Sequence, residues 1–198
     1  MKISQKVGRP KIIDRNAIIK IALNKYWING IDKVKISDIA KESGVSRPGI
    51  YKEFKDVANL KALTLKEYEK LVAVHYYSSF NTTNDLLNLI ETTTKEQLAG
   101  KNRMQPYCYF YTTKSLKCTL DDITKKELNR INNKLEKSIC VAVAKARKNK
   151  QINNILNIKD TAKAINSHFM NMIVMHRAGI PNKEIMNFTK LFIRSLQY

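Results

Sequence analysis

Apolar side chains recur at helical spacing along nearly the whole chain, and the strict alternation of a half-buried strand is absent. Ile18, Ile21, Ala22, Leu23 and Tyr26 mark a first helix that starts behind Asp14 as N-cap, runs to about Asn29 and stops at Gly30. A second helix spans roughly Ser37 to Ser43, with Ile39 and Ala40 inward. Gly44-Val45 makes a tight turn, and a third short helix begins at Ser46. A long fourth helix follows from about Asp56 to Tyr77 on Leu60, Leu63, Leu65, Tyr68, Leu71, Val72 and His75. Asn84 or Asp85 caps a fifth helix to Ala99, and residues 100–106 read as a loop ended by Pro106. The aromatic run Tyr107–Tyr111 leads a sixth helix to about Lys117, and Asp121 opens a seventh reaching about Asn149. Asp160 caps an eighth, Thr161 to Arg177, and Pro181 starts the last, to Leu196. The pattern predicts an all-α protein of about nine helices, with no internal repeat and no low-complexity linker. A basic arm covers residues 1–13. A soft composition boundary near residue 60 divides a first domain, 14–58, from a second, 59–198.

The stretch 36–54, ISDIAKESGVSRPGIYKEF, is the most informative. Two short helices joined by a turn containing Gly44 form a helix-turn-helix. The second of them carries Val45, Ile50 and Phe54 on one face and Arg47, Pro48, Gly49, Tyr51 and Lys52 on others. That division lets a helix stay docked in its domain while presenting the opposite side to a DNA groove. Pro48 lies in the first turn, where a missing N–H costs nothing. Gly49 lowers helix propensity by about 1 kcal/mol, which is reasonable where the backbone must approach DNA closely.

Charge agrees with this without deciding it. The 198 residues hold 36 Lys+Arg against 17 Asp+Glu, a formal net charge of +19. A polyanionic partner is the expectation, nucleic acid first and an anionic membrane surface second. Yet residues 61–198 are nearly as basic per residue as residues 1–60, and Lys, Asn and Ile dominate throughout. Three cysteines, no apolar leader and no apolar run near the ~20 residues of a membrane span point to a cytoplasmic protein.

Gly8-Arg9-Pro10 ahead of a helix, then Ile39-Ala40, Gly44-Val45-Ser46, Ile50-Tyr51 and Phe54, resembles the DNA-binding domain of the TetR family of bacterial transcriptional regulators. The resemblance covers about residues 8–65; the remaining ~130 match in length and element order alone. It implies three N-terminal helices in the major groove and a C-terminal helical domain that binds a small effector and dimerises. By position, Ser46, Arg47, Pro48, Gly49 and Lys52 fall on the recognition helix, and Tyr51 stands where the family contacts a phosphate. Lys35 and Ser37 open the second helix, which touches the DNA backbone; Ser37 serves equally as an N-cap. Arg47 has the strongest chemistry, since its fork can bind guanine O6 and N7 together, about 1–3 kcal/mol of discrimination. Arg9 and Lys11 of the arm are placed to reach the adjacent minor groove. One departure matters: where the family commonly has lysine at the start of the fourth helix, this chain has Val57. Either Lys55 supplies that phosphate contact from a shifted position, or the contact is lost.

An effector pocket should be apolar with a few polar groups. Its richest sources are His75, Tyr76, Tyr77 and Phe80 on the fourth helix and the segment from Tyr107 to Tyr111. His75, Tyr76, Phe80, Tyr107 and Tyr111 are the candidate ligand-binding residues, and the effector itself stays unknown. Apolar stripes on the last two helices, Ala162, Ile165, Phe169, Ile173 and Val174, then Ile185, Phe188, Leu191, Phe192 and Leu196, are where the family pairs subunits. A homodimer is therefore implied, as a palindromic operator requires. Enzyme readings lack their inventory. No Gly-rich phosphate loop is present, His75, His168 and His176 stand alone, and Cys108, Cys118 and Cys140 have no zinc spacing. No metal or cofactor is expected. The predicted function is a sequence-specific DNA-binding regulator, most simply a repressor released from its operator by a small molecule. The rivals are a non-specific basic DNA-binding protein, and a helical ligand-binding protein with a vestigial DNA-binding domain.

Overall fold

The computed structural model describes residues 14–99 and 108–197. Among them there is no strand, and nine helices are counted when the fourth is taken through its π turn. The all-α expectation therefore holds. The elements are α1 (Arg15–Asn29), α2 (Ile36–Ser43), α3 (Arg47–Phe54) and α4, which runs Val57–Tyr68, through a π turn Glu69–Ala73, into Val74–Thr82. They continue as α5 (Leu86–Ala99), α6 (Tyr109–Ser115), α7 (Asp122–Lys148), α8 (Ile158–Arg177) and α9 (Asn182–Gln197), with a 3-10 turn, Lys117–Thr119, before α7.

Local chemistry fixes most boundaries. Asp14 accepts a hydrogen bond from the Ala17 N–H at 3.0 Å, and Gly30, at φ 98°, stops α1. Asp121 caps α7 through the Thr124 N–H at 2.7 Å, and Asp85 Oδ1 accepts the Asn88 N–H at 3.0 Å at the head of α5. Three boundaries depart from the sequence pattern. The second helix begins at Ile36, because Asp38 reaches back to the Lys35 N–H at 3.0 Å; Ser37 is inside the helix, half-buried, and is not its N-cap. The eighth helix begins at Ile158 with Asn157 as cap, accepting from the N–H groups of Lys159 and Asp160 at 2.9 and 3.1 Å, so Asp160 lies in the first turn. The fourth helix extends past Tyr77 to Thr82. Its π turn shifts the phase of the 3.6 repeat, and Leu71, counted in the apolar stripe, is exposed.

The first three helices enclose Ile18, Leu23, Tyr26, Ile39, Ile50 and Phe54. Helix α4 packs on α1 at one end and along α7 over most of its length. Helices α7 and α8 lie together, and α9 covers α5 and α8. Among the described residues, no helix is long and apolar enough to cross a membrane.

Candidate nucleic-acid interface and core cavity

Helix α3 is fixed from both sides. Ser46 Oγ accepts the Gly49 N–H at 3.2 Å, Pro48 sits in the first turn, and Ile50 and Phe54 are buried beneath. Arg15 holds the far end, paired with Glu53 at 2.7 Å and placed over the Phe54 ring at 4.8 Å. What remains outward is Ser46, Arg47, Pro48, Tyr51 and Lys52, all exposed, with Gly49 half-buried between them. Tyr51 is 43% exposed, so its ring is not part of the core. Among the described residues Arg47 and Lys52 make no ion pair, and Lys35, also exposed, stands at the head of α2. Buried polar groups almost always find partners within a fold; here the polar groups face solvent together on one short helix.

Lys55 closes α3 with φ 69°, a positive angle that costs a non-glycine residue on the order of 1 kcal/mol. Its N–H still bonds to the Tyr51 carbonyl at 2.8 Å. Asp56 then caps α4 through the Asn59 N–H at 2.7 Å, which leaves Val57 half-buried at the first helical position. Lys55 is exposed beside that N-terminus, without an ion-pair partner among the described residues.

A cavity of about 30 Å³ lies between α4, α5, α6, α7 and α8. Tyr76, Phe80 and Tyr111, three of the expected ligand residues, line it. His75 does not: it is exposed on the other side of α4. Tyr107, like Arg9 and Lys11 of the arm, lies outside the described residues. The sequence pattern did not mark Thr93 or Gln97, and it gave Tyr68 to a helix stripe and Phe169 to the expected subunit interface; all four complete much of the wall. Each reads as an ordinary core or helix position, and no local signal marks it.

The wall is tied to a polar layer behind it. Tyr111 donates to Asn166 Oδ1 at 3.0 Å, and Asn166 in turn donates to Glu136 Oε1 at 3.0 Å. Tyr77 donates to Glu69 Oε1 at 3.4 Å, and Gln97 bonds to the Tyr76 hydroxyl. Glu69, on the π turn, is held by Arg130 and by Lys134 at 3.0 Å; Arg130 also reaches Glu127 at 2.6 Å. Burial alone would raise the Glu69 pKa, but the hydrogen bonds from Arg130 and Lys134 outweigh it and hold the carboxyl below its usual range. Burial, reinforced by neighbours including Glu136, raises Tyr111 well above an ordinary phenol.

The wall also touches α1. Tyr68 stacks edge-on against Trp27 of α1 at 5.1 Å and against Tyr109 at 5.6 Å, while its hydroxyl meets Cys108 Sγ at 3.1 Å.

The sequence model described as bacterial regulatory proteins, tetR family, matches residues 18–60, the stretch that carries α1, α2 and α3. Over those residues the chain is similar to the TetR family. The chain is 30% identical over 69 residues to the HTH-type transcriptional repressor ComR of Escherichia coli K12, a match spanning 34% of this chain and 33% of ComR. Similarity to solved structures extends over the whole fold. A TetR-family regulator, CifR, solved with a 26-base-pair operator DNA, superposes with a TM-score of 0.71 at 13% identity, covering 94% of this chain and 99% of CifR. A transcriptional regulator of Saccharomonospora viridis in complex with choline gives a TM-score of 0.73 at 16% identity, covering 91% and 95%. At such identities the likeness concerns the fold alone.

Proposed function

We propose that this protein is a cytoplasmic, non-enzymatic transcriptional regulator of repressor type that binds a palindromic double-stranded operator as a homodimer and releases it on binding a small effector. The carrying observation is α3: Ile50 and Phe54 are buried beneath it while Arg47, Pro48, Tyr51 and Lys52 face solvent, Arg47 and Lys52 without an ion pair among the described residues. In this reading residues 14–58 form the DNA-binding domain and 59–198 the effector-binding and dimerisation domain. Arg47, Pro48 and Gly49 meet base edges; Ser46, Tyr51, Lys52, Lys35 and Ser37 meet the phosphate backbone. Lys55 takes the phosphate contact that Val57 cannot make.

Dimerisation through α8 and α9 is supported by how their apolar stripes divide. Ala162, Ile165, Phe169, Ile173, Ile185 and Leu196 are used in the subunit's own core. Val174, Phe188 and Leu191 stay 47%, 38% and 62% exposed, an apolar face suited to a second copy. A two-fold pair would set the recognition helices about 34 Å apart, one turn of duplex. The cavity under Tyr76, Phe80 and Tyr111 is the effector site in this reading. Because Tyr68 belongs both to its wall and to the Trp27 contact, widening the cavity would displace α4 against α1.

Selection of bound fragments from a random duplex pool at about 150 mM salt, with Arg47→Ala as control, tests the reading. An enriched inverted repeat that the substitution abolishes or broadens is expected. Unselective binding with a steep salt dependence would instead favour a non-specific binder using the +19 charge.

A further inference from the structure

Accepting the cavity as the effector site, its chemistry restricts the ligand. The chain carries 36 Lys+Arg, yet among the described residues none of them lines the cavity. Seven of the thirteen lining residues are aromatic rings, supplied by α4, α6 and α8, and the others are neutral. The phenols add a directional preference. Tyr77 donates its hydrogen to Glu69, and Tyr111 donates to Asn166, which is itself anchored on Glu136. Both oxygens therefore offer lone pairs and not hydrogens. A carboxylate or phosphate entering this space would find ring faces and, at Tyr77 and Tyr111, acceptors, with no lysine or arginine among the described lining residues, and desolvating it there would be costly. An organic cation would meet the negative faces of several rings in a desolvated setting, where cation–π attraction is strongest.

The second layer points the same way. Glu136 has no ion-pair partner among the described residues; its hydrogen bonds come from the neutral amides of Asn132 and Asn166. Glu69 is balanced by Arg130 and Lys134, which stand behind the wall. Lys114 is not a lining residue; its Nζ donates to Asn132 Oδ1 at 2.7 Å and sits 5.9 and 6.0 Å from the Phe110 and Tyr111 ring centroids.

We infer that the cavity binds a small organic cation, a quaternary or alkylated ammonium, in a cage of tyrosine and phenylalanine rings. At about 30 Å³ the cavity has room for about two water molecules. The ligand must therefore part the rings. Tyr68 and Ala73, which bound the π turn of α4, both belong to the wall, so the helix yields where its hydrogen-bond ladder is already interrupted.

The test compares ligands of one shape and different charge. Trp27, the single tryptophan of the chain, packs on Tyr68 and reports on the cavity by fluorescence. The full-length protein is titrated with choline, with its uncharged carbon isostere 3,3-dimethylbutan-1-ol, and with the anionic 3,3-dimethylbutanoate. Choline is expected to bind roughly tenfold or more tightly than the alcohol, and the carboxylate weakest of the three. Glu136→Gln should weaken choline several-fold and leave the alcohol unchanged; Phe80→Leu, checked for helicity, should reduce the difference between the two. Equal or tighter binding of the alcohol, preference for the carboxylate, or no response to any of the three up to millimolar concentration would overturn the inference. Operator selection needs no effector, so a failure of the regulator reading would show there separately.

Discussion

Tyr51 on α3 and Tyr68 on α4 are the same side chain placed in opposite circumstances. Tyr51 projects 43% exposed from a helix held by Ile50 and Phe54, and its environment is set by eight consecutive residues and their caps. Tyr68 is 2% exposed and touches α1, α6 and the cavity at once. The first region keeps polar groups in solvent, ready for an external partner. The second engages its polar groups internally, through Asn166, Glu136, Glu69 and Arg130, and leaves a small aromatic void. A recognition surface can thus be altered with little cost to folding, whereas the cavity cannot be altered without touching the core.

The largest predicted effect separates the two tyrosines directly. Tyr68→Ala should cost about 3–4 kcal/mol of unfolding free energy by emptying a buried ring site, read by denaturant titration. Tyr51→Ala should change stability by no more than about 0.5 kcal/mol and instead weaken DNA binding. Equal stability losses at the two positions would erase the contrast.

Acid should act on the second domain through His168. This imidazole is buried between α8 and α9, parallel to Phe192 at 4.4 Å, with Nε2 bonded to Thr189 at 3.2 Å and Nδ1 without a partner among the described residues. Burial lowers its pKa from 6.5 to about 4. The folded state therefore binds fewer protons than the unfolded one in mild acid. The stabilisation is complete above pH 6.5 and is lost progressively as pH falls toward 4, about 3 kcal/mol in all. Unfolding measured at stepped pH should show His168→Phe with a shallower slope than the parent over that window.

Arg47→Ala should cost about 1–3 kcal/mol of operator discrimination at unchanged melting temperature, measured by competition between selected and scrambled duplexes. The smallest effect belongs to Lys55, where backbone strain and charge oppose each other. Lys55→Gly should relieve the positive φ and stabilise the fold by about 1 kcal/mol, while the salt dependence of DNA binding loses about one phosphate contact. A Lys55→Gly protein with unaltered salt slope would remove Lys55 from the interface.

The helix-turn-helix was legible in the sequence because everything that makes it is near in the chain. Ser46 caps three residues on, Gly44 supplies the left-handed turn, and Ile50 and Phe54 lie one turn apart. Even there, the head of α2 was misplaced by one residue, since Asp38 bonding back to the Lys35 N–H competes with Ser37 as a start signal. In the second domain the helices were legible and their meeting was not. Tyr76, Phe80 and Tyr111 could be named as aromatic candidates, but His75 came with them; which of two adjacent residues faces inward depends on how the π turn rotates α4.

The sequence by itself determined an all-helical chain, the position of the helix-turn-helix and the residues on the outer face of its second helix, because periodicity and capping act over a few residues. Only the tertiary structure decided that Tyr68, Gln97 and Phe169, from α4, α5 and α8, share one wall. It also decided that Glu69 is answered by Arg130 and Lys134 from α7, and that Val174, Phe188 and Leu191 are left uncovered. These outcomes depend on packing between elements far apart in sequence, where the orientation of a helix about its axis is set by its neighbours and not by its own residues.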